Sequence, residues 1–415
     1  MAQRVMTPYF LLGQDKNYTS VDSSSGAAFL VYQYGHGPAL FSMYPEVDAR
    51  DAPADHTKII CEVGTVGTVL LKNVKNTLPL KNKKNIRLFS NDVPYPTTGS
   101  VYLDISNNPE GFEMGTVDVG GRSGTVRHTS LVMPLETIEK HVDSLRGRVQ
   151  LLFNNKLVAE GTFKTIYLTL DACLLFLKAY PTDGEDPASL NLQWNATKAV
   201  ESTAAMCSIT IVVMHGPDVV LMPSADNENV TAILSAHCPG EETGNAITDI
   251  LWGLVEPSGR LLYTVPRNPS DYDFTEGQMV DYRHFDANNT EPYFEFGFGL
   301  SYTKFDMENI LDVNIVGGPL SLSANKSMGI APGGLRELWT TSAVDSVQIT
   351  NSGNRSGFAV PQLCFSLPQD TIPAGTPVKV LRGFEKVYLE PNESNQVDFE
   401  LTRRYLSYWD VEEQQ

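Results

Sequence analysis

Positive charge is in short supply in this sequence: 31 Lys and Arg face 49 Asp and Glu, a formal net charge of −18 at pH 7. Such a balance offers a phosphate backbone nothing to bind, so nucleic acid and anionic membrane are not expected partners. The acidic residues serve solubility. Long apolar runs are missing as well, since none approaches the roughly 18 residues that a membrane-spanning helix requires. Met1-Ala-Gln-Arg-Val-Met6 is not followed by the apolar core and cleavage site of a signal peptide, so no export address is legible.

Cysteine is sparse. Cys61, Cys173, Cys207, Cys238 and Cys364 are widely spaced and form no CxxC, a pattern that favours neither a structural zinc site nor a dense disulfide scaffold. The odd number leaves at least one thiol unpaired. No metal and no cofactor are expected. Seven N-glycosylation sequons, at Asn17, Asn195, Asn229, Asn288, Asn325, Asn354 and Asn392, point instead to a secretory ancestry, which leaves the localisation open.

What is present is a globular composition, 42% apolar, over a length of 415 residues. That length suggests two or three domains. Residues 1–55 mix Gly, Ser, Tyr and Pro and read as a lead-in and linker. From His56, apolar residues at Ile59, Ile60, Val63, Val66 and Leu70 predict a helix weakened by Gly64 and Gly67, each costing about 1 kcal/mol relative to Ala. Short apolar runs follow at Ile86–Ser90, Ala172–Leu177, Ile209–Met214 and Val230–Ser235, separated by predicted helices over Thr197–Met206 and Thr243–Leu251, the latter capped by Gly253. Alternation of this kind predicts an α/β layered sandwich over 56–300.

Residues 301–340, with Gly-Gly and Ala-Pro-Gly-Gly, read as a linker. Beyond it the period changes to two: Val344, Ser346, Gln348 and Thr350 alternate with Asp345, Val347, Ile349 and Asn351. Further runs at Ala359–Leu367, Pro377–Leu381 and Gln396–Leu401 complete the pattern of a β-sandwich over 341–415.

The run Pro257-Ser-Gly-Arg-Leu-Leu-Tyr-Thr-Val-Pro266, with Asp281-Tyr-Arg-His-Phe-Asp286 and Tyr293-Phe-Glu-Phe-Gly-Phe-Gly-Leu-Ser-Tyr302, closely resembles the end of the α/β sandwich domain of fungal family 3 β-glucosidases. Other stretches resemble the same family in the same order. Arg4-Val-Met-Thr-Pro-Tyr-Phe-Leu-Leu-Gly-Gln-Asp15 looks like the exit from its catalytic barrel, and Thr68-Val-Leu-Leu-Lys-Asn73 like the start of its sandwich domain. Pro239-Gly-Glu-Glu-Thr-Gly-Asn245, Leu381-Arg-Gly-Phe-Glu-Lys386 and Leu401-Thr-Arg-Arg-Tyr-Leu-Ser-Tyr-Trp-Asp410 complete the series, the last two in a fibronectin type III-like domain that looks truncated.

The resemblance implies a retaining glycosidase acting on terminal β-glucosyl residues, with a small glycoside or oligosaccharide as substrate. That chemistry needs two carboxyl groups about 5 to 5.5 Å apart. The family's nucleophile lies in a Ser-Asp-Trp motif on the preceding barrel, and this chain contains no Ser-Asp-Trp. The family's general acid sits on a loop after a sandwich strand. Asp183-Gly-Glu185 keeps the Gly-Glu pair at the matching distance, which makes Glu185 the candidate acid, and its neighbours Asp183 and Asp186 favour its protonated form by repulsion. A solvated acidic turn is the plain alternative, since about ten residues and an aromatic of the family loop are missing.

His215, at the end of an apolar strand, matches a family histidine and is a weaker candidate for substrate binding; a hydrogen-bonded structural role is the commoner one for such a residue. His237-Cys238 with Glu241 and Glu242 could be drawn as a metal cluster, but the family pattern already explains that segment. Gly120-Gly-Arg-Ser-Gly-Thr125 resembles a family pocket loop without its aromatic, and lacks the Lys-Ser/Thr of a phosphate loop. The aromatics of 281–302 read as packing of the sandwich against its neighbours, with self-association or a protein partner expected on any barrel-facing surface left exposed.

Two readings result. One is a β-glucosidase-like glycoside hydrolase, inactive as an isolated chain for want of the nucleophile. The other is a non-catalytic or repurposed binding protein, attached for example to a fungal secondary-metabolite pathway, or a truncated gene model. The shortened Glu185 loop, the lost aromatic and the glycine-weakened helix fit the relaxed constraint of the second.

Overall fold

Strands that are apolar at every position must be covered on both faces, and this requirement organises the larger part of the chain. The computed structural model describes residues 2–16, 56–96, 113–120, 130–167, 170–180, 189–217, 219–271, 275, 277, 279–317, 320–321, 323–368 and 372–409. Strands β1 (Val69–Asn73), β2 (Asn85–Phe89), β3 (Arg148–Leu152), β4 (Ala172–Lys178), β5 (Thr210–His215) and β6 (Val230–His237) form one sheet in the order β1-β6-β5-β4-β2-β3. Strands β2 to β6 are parallel, while β1 lies antiparallel along β6.

β4 shows how the pleat serves two cores. Ala172, Leu174 and Phe176 pack with Ile138 and Val142 of helix Pro134–Ser144 and with Ile247, Ile250 and Leu251 of helix Thr243–Trp252. Cys173, Leu175 and Leu177 point the other way, toward Val158 and the Ala196, Ala199, Val200 and Ala204 face of helix Ala196–Met206. The α/β layered architecture read from the sequence is therefore observed. A disulfide joins Cys173, at the start of β4, to Cys207, just after that helix; Cys61, Cys238 and Cys364 remain thiols.

The helix predicted from His56 spans Thr57–Gly67. Its Gly64 is not a sign of relaxed constraint: a Cβ there would stand 2.9 Å from the Pro239 carbonyl oxygen. The helix gives up propensity for a close approach. Helix Thr243–Trp252 ends as expected at Gly253, whose φ is 72°. Glycine adopts that left-handed conformation without steric cost. Helix Pro134–Ser144 and strand β3 were not legible as apolar runs, because β3 is an edge strand with part of each face toward solvent.

The 301–340 linker reading fails at its start. Phe305–Ile315 is an eleven-residue strand, β7, that pairs antiparallel with β10 (Thr341–Asn351). Between them lie the two-residue strands β8 (Ile330–Ala331) and β9 (Gly334–Leu335). β10 also pairs with β15 (Ser394–Thr402), and Val347, Ile349, Val397 and Phe399 fill a small separate core. The predicted run Ala359–Leu367 divides at Pro361, which has no N–H to give a ladder, into β11 (Gly357–Ala359) and β12 (Gln362–Phe365). These pair respectively with β14 (Val387–Leu389) and β13 (Val380–Phe384), which gives the C-terminal region its β-sandwich character.

Opening the Cys173–Cys207 link frees a loop of 34 residues in the unfolded chain. By the chain-entropy relation, Cys173→Ala/Cys207→Ala should be about 4 kcal/mol less stable, read as a lower urea midpoint with a somewhat steeper slope, because the unfolded chain without the link is less compact.

Candidate functional site at the carboxyl edge of the sheet

From β2 the chain steps outward to β3 and then returns to the other side of β2 as β4. The crevice beyond the carboxyl ends of β2 and β4 is thus a topological switch point, where open α/β sheets bind ligands. Polar residues collect there. Ser90-Asn91-Asp92 follows β2, Lys178 closes β4, and His215 closes β5 in register with Lys178. His237, at the end of β6, extends the row beside His215.

Asp92 and His215 are both fully buried and bonded to each other: His215 Nδ1–H donates to Asp92 Oδ2 at 2.6 Å. On the far side of the ring, His215 Nε2 lies 2.9 Å from the Thr243 hydroxyl, at the first residue of helix Thr243–Trp252. The order carboxylate, imidazole, hydroxyl is that of a nucleophilic triad, but Thr243 has no exposed surface, so its hydroxyl meets no substrate. The three residues act as a clamp between β2, β5 and the helix. Gly244 permits the fit, since a Cβ there would sit 2.4 Å from the Met133 carbonyl oxygen.

Asp92 also organises the next turn. Its Oδ1 accepts from Val117 N–H, its carbonyl accepts from the Thr116 hydroxyl, and Gly115 O accepts from Lys178 Nζ at 2.5 Å. The Lys178 ammonium stands 5.1 Å from the centre of the Trp194 ring. Burial pulls its pKa down to about 8, against the opposing pull of Asp92 and Glu113. Asn155 binds the arrangement from below: its Oδ1 accepts from Ser90 Oγ and Asn91 N–H, and its Nδ2 donates to Trp194 O. Trp194 and Asn195 both have positive φ, 53° and 57°. That region is sparsely populated by residues other than glycine. The buried Nδ2 of Asn91 finds no partner among the described residues.

Of the sequence candidates, His215 lies in this edge with both ring nitrogens engaged and about 1% of its surface exposed. Glu185 falls in 181–188, outside the described residues, as do residues 121–125 of the glycine-rich stretch. The flanks of 181–188 are described: Tyr180, two residues beyond β4, is buried and its N–H donates to Gln193 Oε1. The residues once drawable as a metal cluster have other work. His237 Nε2 meets the Tyr263 hydroxyl at 3.0 Å, burial lowers the His237 pKa, and Glu242 accepts from Asn245 Nδ2. The sequence reading missed Asp92, Lys178 and Thr243; the signal for the first two was their place at or just beyond the carboxyl end of a buried parallel strand.

Among the sequons, Asn195, Asn288, Asn325, Asn354 and Asn392 are exposed, whereas Asn229 is half-buried with its Nδ2 donating to Ala204 O. Asn17 lies outside the described residues. The aromatics of 281–302 do pack inward: Tyr293, Phe294 and Phe298 lie against one core of the sheet, and Leu300 and Tyr302 against the other.

A parallel-rich sheet with a polar carboxyl edge, followed by a fibronectin-like sandwich, is the C-terminal arrangement of a glycoside hydrolase class. The chain belongs to glycosyl hydrolase family 3: residues 68–302 match its C-terminal domain, and residues 359–415 match the fibronectin type III-like domain. A probable beta-glucosidase G of Aspergillus terreus is 43% identical over 100% of this chain and 52% of that protein. A probable beta-glucosidase G of Neosartorya fischeri is 44% identical with the same coverage. The crystal structure of beta-glucosidase D2-BGL from Chaetomella Raphigera superposes with a TM-score of 0.79 at 30% identity, covering 98% of this chain and 55% of that one. Beta-D-glucoside glucohydrolase from Trichoderma reesei gives 0.77 at 31% identity, over 89% and 53%. The chain spans about half the length of the curated relatives it matches.

Two outcomes test the edge. Replacing His215 by Ala leaves Asp92 buried without its partner and should cost about 3 kcal/mol or more in denaturant unfolding. Lys178 is protonated in the unfolded chain up to about pH 10.5 but in the folded protein only up to about 8. The unfolded state therefore binds the extra proton between these values, and stability from this group rises with pH across that window. Relative to Lys178→Met, the wild type should gain about 2 kcal/mol between about pH 7 and pH 9.5 in paired urea titrations.

Proposed function

We propose that this chain serves β-glucosidase-type hydrolysis as the half that carries the general acid, and that it does not turn over a glucoside as an isolated chain. The observation that most supports this is the departure of segment 181–188, which contains Glu185, from the end of β4 at the switch point beside Lys178 and Trp194. The relatives, probable beta-glucosidases of several fungi, support a carbohydrate substrate with a terminal β-glucosyl unit.

In this reading Glu185 protonates the leaving oxygen. His215 is a positioning residue that holds the strand ends from behind the pocket and does not touch the sugar. Retention requires a second carboxylate on the opposite side of the anomeric carbon. The Ser-Asp-Trp motif that supplies it in the family does not occur in these 415 residues. Proton donation without a nucleophile leaves most of the barrier standing. Exposed sequons and a buried disulfide support passage through an oxidising, glycosylating compartment.

With an aryl β-D-glucoside, the purified chain should release phenol no faster than buffer. Turnover above buffer that disappears in Glu185→Gln would overturn the inactive reading and show that a different nucleophile has been recruited.

A further inference from the structure

The three-stranded sheet of the β-sandwich, in the order β15-β10-β7, carries charge of one sign. Asp306, Glu308 and Asp312 stand on β7, Asp345 on β10, and Asp398 and Glu400 on β15, with no lysine, arginine or histidine in any of the three strands. All but one are exposed. Asp345 keeps 5% of its surface in water and lies on the core face, in phase with Ala343, Val347 and Ile349, opposite Val313 of β7 and Phe399 of β15.

A carboxylate turned toward a core is costly unless it is paired. Asp345 Oδ1 is buried without a hydrogen-bond partner among the described residues. The charged group that bears on it is another carboxylate, Asp312, which stands opposite the adjoining Ser346. Burial first and that charge second hold the Asp345 carboxyl above its usual range. Cations around the sheet are engaged elsewhere: Arg403, just beyond β15, pairs with Glu337 and donates to Ser321 O, Arg404 lies over the Trp339 ring, and Arg382 of β13 lies over Tyr405.

The neighbouring edge strand is built in two halves. Between Ser346 and Gln348 of β10 the partner jumps from Asp312 to Glu308, so two steps along β10 take up four along β7. A bulge of this kind interrupts the ladder. The inner half is anchored by Phe305 against the small core, whereas Val313 and Ile315 of the outer half are 47% and 81% exposed. Residues 312–315 are therefore held by their ladder to 343–346, with little apolar burial to help.

We propose that Asp345 and the outer half of β7 form a proton-operated latch: with Asp345 protonated, residues 312–315 lie on β10, and when Asp345 ionises beside Asp312 that half-strand lifts at the bulge. A proton needs no cavity to reach the carboxyl, since local openings of the edge admit it. The folded protein holds this proton to higher pH than the unfolded chain does. Its stabilisation is complete below about pH 3.8, the ordinary value for an aspartate, and is lost as pH rises through the raised folded value. The latch is closed in acid and loosens toward neutrality. It does not depend on the reading of the α/β sheet edge, and either can fail without the other.

The test is hydrogen–deuterium exchange of the whole chain, with wild type and Asp345→Asn side by side at each pH so that intrinsic exchange cancels in their ratio. At about pH 7 the amides of 312–316 should exchange about tenfold faster in the wild type than in Asp345→Asn, and at about pH 3.5 the two should agree within about twofold. Peptides from β4 and β5 should not differ at either pH. Asp312→Asn removes the repelling charge and leaves Asp345 in place; it should also slow exchange of 312–316 at about pH 7, which keeps the test decisive if Asp345→Asn does not fold. A ratio at 312–316 that is the same at both pH values would overturn the proposal. Equal slowing in β4 and β5 would overturn it as well, and would assign the effect to global stability.

Discussion

The buried bond between Asp92 and His215 is the constraint on which the carboxyl edge of the sheet depends. Asp92 follows β2 and His215 closes β5, two strands that are not neighbours, since β4 runs between them. Two ionisable groups taken wholly out of water are tolerated only with close partners on every side. Here His215 passes the chain of contacts to Thr243, and the ring also lies nearly parallel to Phe176 of the intervening strand, 6.3 Å away. The turn at 115–117 hangs on Asp92, and Lys178 hangs on that turn. The point from which segment 181–188 departs is therefore a strand end whose own terminal side chain is held indirectly by Asp92.

The buried parallel strands were the most legible part of the fold. Coverage on both faces leaves apolar runs at Ala172–Leu177 in β4, Ile211–Met214 in β5 and Ala232–Leu234 in β6, with the polar residues toward the strand ends. The edges were harder to read. β3 is half-exposed and carries Arg148 and Gln150. β7 alternates at both ends, but Asn309 and Ile310 reverse the phase in its middle, and the glycine- and serine-rich stretch after it lends the whole region the look of a linker. In the candidate site, His215 was legible as a strand-end histidine. Its partner Asp92 stands 123 residues away, and no local pattern joins the two.

Glycine carries two opposed meanings in this chain, and only packing separates them. Gly64 lowers helix propensity yet lets helix Thr57–Gly67 press on Pro239, while nothing lies within 4 Å of where a Cβ on Gly67 would be. The first has a structural reason and the second has none of that kind. A sequence reading weighs them equally because propensity contains no information about what lies opposite.

The capping of helix Thr243–Trp252 ties the two layers together. Gly253, at its end, leaves a carbonyl that accepts from Arg355, 102 residues further on, at the threshold of the sandwich. Glu256 accepts from Phe358 N–H, and Thr303 donates to Asn351, at the same junction. A helix that begins at the Asp92–His215 clamp is thus finished by a residue of the other layer. In evolutionary terms the sandwich is not an interchangeable module: exchanging it for a foreign one would strip the donor from a helix terminus whose opposite end secures the candidate site.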